Sequence, residues 1–137
     1  MPTVLIVDDE PDILILLRLA LESEGYSTVE ATDGAEALRV IRDRNPDVVL
    51  LDIMMPVMDG WGTLEHLQES GQHPPVIMVT ARTAARDQDR AMELGAEDFV
   101  TKPFEPAELL ERMRHVMDST SDEERIPEAS AGDSSPA

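Results

Sequence analysis

The segment that most constrains this chain is residues 48–60, VVLLDIMMPVMDG. Four consecutive apolar residues, Val48, Val49, Leu50 and Leu51, lead straight into one aspartate, Asp52, after which Pro56 and the Asp59-Gly60 pair turn the chain. A run this short, wholly apolar and bounded by turn residues, reads as a strand buried on both faces. Open α/β sheets bind their ligands outside the carboxyl ends of parallel strands, so an aspartate delivered there is a candidate functional group. The remaining sequence matters chiefly for what it brings to Asp52.

With 137 residues the chain has the length of one domain with its own core. It contains no cysteine, which excludes a disulfide framework and a thiolate metal site and is compatible with a reducing compartment. The short apolar run near the N-terminus has no basic flank, so a signal peptide is not expected. The apolar run in the first helix stops at Arg18, far short of a bilayer span, and a cytoplasmic location without membrane contact is expected. Acidic residues outnumber basic ones 29 to 11, for a net charge of −18. Such a chain has no basic stripe to replace phosphate counterions, which argues against direct contact with nucleic acid.

Along the chain, apolar strand-like runs alternate with amphipathic helical stretches. Residues 3–7 (TVLIV) precede Asp8-Asp9-Glu10-Pro11-Asp12, where Pro11 and the acids suit a helix N-terminus. That helix runs to about residue 24 and stops at Gly25. Residues 27–31 form a weakly alternating second strand, and Asp33-Gly34 opens a helix that ends before Asn45-Pro46. A third helix after Gly60 ends near Gly71, and residues 76–79 form a strand that delivers Thr80. A helix over about 84–94 closes at Gly95, and residues 97–101 form a strand that delivers Lys102, Pro103 and Phe104. The last helix covers about 106–117, with Leu109, Leu110, Met113 and Val116 on one stripe. Five βα units with short connections predict an α/β fold: a single doubly wound, five-stranded parallel sheet with five helices over both faces. Residues 1–117 are expected to form this domain. Residues 118–137, rich in Ser, Asp, Glu, Ala and Pro, are expected to form a disordered acidic tail.

The strands therefore end on Asp8 and Asp9, Asp52, Thr80 and Lys102 along one edge of the sheet. The first loop has neither GxGxxG nor a Walker sequence, and its three acids repel a bare phosphate while inviting a cation. Oxygen donors without His or Cys point to Mg²⁺ or a similar hard ion. Together with an ammonium at Lys102 and a hydroxyl at Thr80, this is the equipment that a transferring phosphoryl group needs around its equatorial oxygens. Asp52 then reads as a carboxylate nucleophile that forms an acyl phosphate.

These motifs bring a family into view. Over residues 2–117 the chain resembles the receiver domain of two-component response regulators, of the stand-alone type. The resemblance rests on LIVDDEPD, VVLLDIMMPVMDG, VIMVTA, GAEDFVTKPF and PAELLERM, all in order and at the family's spacing. It implies strand order 2-1-3-4-5 and Asp52 as acceptor of a phosphoryl group from a sensor histidine kinase or histidine phosphotransfer protein. It implies Mg²⁺ held by Asp8, Asp9, Asp52 and the backbone carbonyl of Met54, a phosphoryl contact from Lys102, and a cis peptide before Pro103. It also implies a switch in which Thr80 moves toward the phosphoryl oxygen and Phe99 swings inward behind it. That motion remodels the face of the fourth helix, fifth strand and fifth helix toward an unknown downstream protein. The plainer readings, a strand-end cap for Thr80 and a core aromatic for Phe99, remain open at this point.

Two positions that tune phosphoryl lifetime in the family carry Met54 and Arg82 here. A thioether cannot orient an attacking water as an amide or carboxylate can, so slow self-dephosphorylation is expected. In the first helix, Ile13, Leu16, Leu17, Ala20 and Leu21 form the expected inward stripe, leaving Leu14 and Ile15 outside it, either as a kinase-docking surface or as the edge of a wide stripe. Glu97, Asp98, Arg112 and Arg114 lie where relatives that form homodimers on phosphorylation carry interface charges, or are simply solvated. Three other readings share parts of this pattern. A phosphate-independent binding module would not need Asp8, Asp9, Asp52, Thr80 and Lys102 together. A hydrolase passing through an aspartyl phosphate would want an acid where Met54 stands. A flavodoxin-like carrier is opposed by the acidic first loop and by a mere four aromatics, Tyr26, Trp61, Phe99 and Phe104.

Overall fold

The computed structural model describes residues 2–81 and 84–130, with side chains up to residue 118. The elements alternate along the chain: β1 (Thr3–Val7), α1 (Pro11–Ser23), β2 (Ser27–Ala31), α2 (Gly34–Arg44), β3 (Val48–Leu51), α3 (Gly60–Ser70), β4 (Val76–Thr80), α4 (Ala85–Glu93), β5 (Asp98–Thr101) and α5 (Pro106–Ser130). The strands form one sheet in the order β2-β1-β3-β4-β5, and every neighbouring pair is parallel. This is the doubly wound topology that repeated βα units predict.

Alternation along the strands divides the core into two layers. Val4 and Ile6 pack with Leu14, Leu17, Leu109 and Met113, which places α1 and α5 on one face. Leu5 and Val7 pack with Ala37, Trp61, Leu64 and Ala91, which places α2, α3 and α4 on the other. Because both faces are covered, β1, β3 and β4 are apolar at nearly every position and almost wholly buried. The edge strands β2 and β5 are only partly buried, which explains their weaker patterns.

Local chemistry sets the helix ends. Asp33 caps α2 by accepting from the Glu36 N–H at 2.8 Å, and Glu36 Oε1 accepts from the Thr32 N–H at 2.9 Å. This is a reciprocal arrangement close to a capping box. Asp59 caps α3 through the Gly62 N–H at 2.9 Å. Asn45 ends α2 with φ of 46°, and Gly25, Gly71 and Gly95 follow their helices at positive φ. Val57, in the β3–α3 loop, also has a positive φ, 68°. A β-branched residue rarely adopts that conformation.

Two expectations differ from what is observed. In α1 the buried residues are Leu14, Leu17 and Leu21, while Ile15, Leu16 and Leu19 are 47%, 45% and 59% exposed. Leu14 thus faces the sheet and Leu16 faces out. The 3–4 spacing from Leu14 to Leu21 makes the inward stripe, and the surplus of apolar residues on the other side had hidden its phase. At the C-terminus, the backbone of α5 continues to Ser130, past the end expected at Met117. Residues 118–130, assigned by composition to a disordered tail, are helical here. Glu, Arg and Ala in this stretch favour a helix, whereas Pro127 within it lacks the N–H that an interior helical residue donates. Residues 131–137 of the expected tail lie outside the described residues, as does Arg82.

Candidate functional site

Parallel register builds the site. Val7 and Leu51 are partners across β1 and β3, so the next residue of each strand, Asp8 and Asp52, leaves the sheet at the same level. The Asp52 N–H donates to Val7 O at 3.1 Å, and the Asp8 N–H donates to Ala31 O at 3.1 Å. The backbone of both acids is therefore held by the last rungs of the ladder. Thr80 pairs with Thr101 at the ends of β4 and β5, and the Lys102 N–H donates to Thr80 O at 2.8 Å. Lys102 enters the site from that side, and its peptide bond to Pro103 is cis.

At the centre stands the Lys102 ammonium. Nζ lies 2.7 Å from Asp8 Oδ2, 3.1 Å from Asp52 Oδ2 and 3.2 Å from Glu10 Oε1. Asp8 and Asp52 are buried, and the lysine side chain is 12% exposed. The second oxygen of each buried acid is satisfied locally, Asp8 Oδ1 by the Glu10 N–H at 2.9 Å and Asp52 Oδ1 by the Ile53 N–H at 2.7 Å. Burial raises the pKa of Asp8 above its ordinary 3.8, against the opposing pull of Lys102 and the Glu10 N–H. Burial alone would lower the pKa of Lys102, but the hydrogen bond to Asp8 and the charge of Asp52 outweigh it and raise the value above 10.5. At neutral pH the lysine is a fixed cation.

Not every expected residue joins this cluster. Among the described residues, the carboxylates close enough to share a cation are those of Asp8, Glu10 and Asp52, whose oxygens lie within 4.8 Å of one another. Asp9 is exposed and lines an adjoining cavity of about 500 Å³ with Met54, Asp59 and Trp61. Sequence counts Glu10 among the three acids of the first loop but gives it no site role of its own. One signal was available, since Glu is a poor N-cap and its side chain makes no capping bond here. Thr80 is fully buried. Phe99 pairs with Met78 across β4 and β5 and is half-buried against the α2–α3–α4 layer. On the neighbouring surface, the Arg90 guanidinium lies 4.4 Å from the centre of the Trp61 ring, tying α4 to α3. Arg112 pairs within the chain with Asp98 at 2.7 Å and with Glu108 at 3.4 Å.

The donor set is all oxygen, two of its three acids are buried, and a hard divalent cation such as Mg²⁺ suits it better than a transition metal. A helix-flanked parallel sheet with a cluster of carboxylates around a lysine at its carboxyl edge defines a class of protein, and the comparisons agree on it. The family model for the response regulator receiver domain matches residues 4–114. The chain belongs to that family, whose members act in two-component signalling. It is 46% identical over 117 residues to the probable transcriptional regulator ycf27 of Guillardia theta, covering 85% of this chain and 46% of that protein. It is 39% identical over 114 residues to the alkaline phosphatase synthesis transcriptional regulatory protein PhoP of Bacillus subtilis, covering 83% and 48%. The chain thus spans about half the length of the curated relatives it matches. Among solved structures, the Francisella response regulator 1452 receiver domain superposes with a TM-score of 0.84 at 34% identity, covering 88% of this chain and 99% of that one. The BeF3-activated N-terminal receiver domain of Klebsiella pneumoniae RstA superposes with a TM-score of 0.79 at 30% identity, covering 85% and 98%. Among the described residues no helix is long and apolar enough to cross a membrane.

Proposed function

We propose that Asp52 accepts a phosphoryl group from the phosphohistidine of a sensor kinase or phosphotransfer protein, and that the modified domain signals by changed protein contacts. The observation that carries this reading is the Lys102 ammonium held between the buried carboxylates of Asp8 and Asp52 at the strand ends. An Asp52 oxygen attacks phosphorus as the P–N bond breaks. The imidazole leaves with the bonding electrons and takes its proton from solvent. The Ile53 N–H fixes one Asp52 oxygen and so orients the carboxylate. Lys102, always charged, meets the negative charge carried on the transferred group. Mg²⁺, when bound, neutralises phosphoryl oxygens alongside it, and Asp8 and Asp52 would hold it. Asp9 and the Met54 carbonyl, whose residues line the adjoining cavity, would complete the set. Catalysis extends no further than the domain's own phosphorylation and dephosphorylation.

The output reading assigns Thr80 and Phe99 to a switch that reaches α4, β5 and α5. The support is positional. Thr80 stands beside the acceptor edge, and its β5 neighbour strand carries Phe99 into the α4 layer. A new dianion would bias a packing arrangement that already has two states. Asp98 and Arg112, paired within the chain, would have to exchange partners in any phosphorylation-dependent homodimer. On the input side, Ile15, Leu16 and Leu19 offer an exposed apolar strip on α1 to a kinase helix. The location that fits these partners is the cytoplasm.

Intact mass after incubation with Mg²⁺ and acetyl phosphate tests the reading. One added phosphoryl group on the parent and none on Asp52→Asn is the expected result. An equal gain on both would remove Asp52 from the role.

A further inference from the structure

Glu10 carries a carboxylate that acceptor chemistry at Asp52 does not by itself require. It occupies the N-cap of α1, yet its side chain makes no bond to that helix. Its backbone carbonyl accepts from the N–H groups of Ile13 and Leu14 instead. The side chain reaches the other way, across 92 positions of sequence, to Lys102 at 3.2 Å. An ammonium has three donors, and here it has three carboxylates, one each from Asp8, Asp52 and Glu10. The partners differ in freedom, for the Glu10 side chain is 61% exposed while those of Asp8 and Asp52 are 3% and 7% exposed. Of the three, Glu10 has the solvent-side space to follow the lysine.

A divalent cation on Asp8 and Asp52 repels an ammonium that sits on the same two oxygens. Lys102 must then draw back, and without a partner at the pocket mouth it would be lost to solvent. We propose that Glu10 is a positioning residue for Lys102, holding its ammonium at the mouth of the acidic pocket when Asp8 and Asp52 turn to a cation. The inference rests on the reading of that pocket as a cation site. It makes Glu10 act through the lysine, neither as a direct metal ligand nor as a general source of negative potential.

The test is a Mg²⁺ titration followed by the fluorescence of Trp61, the single tryptophan, which lines the cavity beside Asp9. Four proteins are compared: parent, Glu10→Gln, Lys102→Met and the double variant. Glu10→Gln is expected to raise the Kd about three- to fivefold in the parent, as an exposed ion pair allows. In the Lys102→Met background the same change should have no effect beyond error. Equal weakening in both backgrounds would overturn the proposal in favour of direct ligation or simple charge. Glu10→Asp gives a second reading that separates reach from simple charge and keeps the proposal falsifiable if Lys102→Met does not fold. One methylene shorter, it should behave like Glu10→Gln, and a parental Kd would overturn the proposal. A parent that binds Mg²⁺ normally while Glu10→Gln is unchanged defeats this inference alone. A parent with no saturable Mg²⁺ response would defeat the cation-site reading itself, and this inference with it.

Discussion

Gly60, the first residue of α3, lies directly against the backbone of Asp52. A Cβ built on Gly60 would collide with the Asp52 carbonyl oxygen and come within 2.7 Å of Ile53 Cα. The Gly60 N–H meanwhile donates to Ile53 O at 2.8 Å. The turn after Asp52 is thus folded back onto the peptide of Asp52 itself, and only a residue without a side chain permits it.

Gly60→Ala should therefore destabilise. Helix propensity alone would favour Ala by about 1 kcal/mol, but the contact is with backbone, which cannot step aside. Overpacking of this kind costs about 2 kcal/mol net. Urea unfolding checks the sign as well as the size.

The α1 strip separates folding from docking. Ile15→Glu together with Leu19→Lys alters exposed side chains and should change stability by less than about 0.5 kcal/mol. It should slow phosphotransfer from a cognate kinase while leaving acetyl phosphate labelling unchanged. Leu14→Ala, at a position only 7% exposed, should instead cost about 2–3 kcal/mol. Unchanged kinase transfer in the Glu/Lys variant would remove docking from this face.

The ionisation of Lys102 links stability to alkaline pH. Its pKa is raised on folding, so the folded state holds this proton more tightly than the unfolded chain. Its contribution is fully present below the ordinary 10.5 and is lost as pH rises through the higher folded value. Asp8 is also raised, by burial, so its carboxylate form disfavours folding. Stability from Asp8 therefore falls as pH rises from its ordinary 3.8 through the folded value. Urea midpoints measured across pH should show an alkaline decline that is absent in Lys102→Met.

Met54 should set the lifetime of the phosphorylated state. Its side chain is 60% exposed two residues after Asp52, and a thioether offers an attacking water only a weak acceptor. Autodephosphorylation should take minutes or longer, and Met54→Asn should speed it about tenfold, the lower range of what a positioned polar group contributes. Loss of the phosphoryl group followed by intact mass gives both rates; a parental half-life of seconds would contradict the assignment.

What was legible in the sequence follows from which interactions are local. The strand run 48–51 and the turn residues after it are enough to expose Asp52 as a strand-end carboxylate, because burial on both faces leaves no polar position to confuse the pattern. The parallel sheet and the company of Asp8, Asp52 and Lys102 at one edge follow from the βα repeat, while strand order came from the resemblance to receiver domains. The phase of α1 was not legible, because Ile13 to Leu17 contains no polar residue to mark the outer side. Leu14 and Leu16 therefore exchanged places. Glu10 is legible as an acid of the first loop, but its contact with Lys102 spans 92 positions, which no local pattern reports. Val57 at positive φ was equally invisible, since the conformation is imposed by the loop around it. The Gly34 N–H, for one, donates to Met58 O at 2.9 Å and anchors the next residue.

The most direct test of the central claim locates the phosphoryl group. Borohydride reduction of the phosphorylated protein converts an aspartyl phosphate to homoserine, and peptide mapping then reads its position. Homoserine at position 52, appearing only after incubation with a phosphodonor and Mg²⁺, is the predicted result. Homoserine at Asp8 or Asp9, or 5-hydroxynorvaline at Glu10, with Asp52 intact would contradict the account.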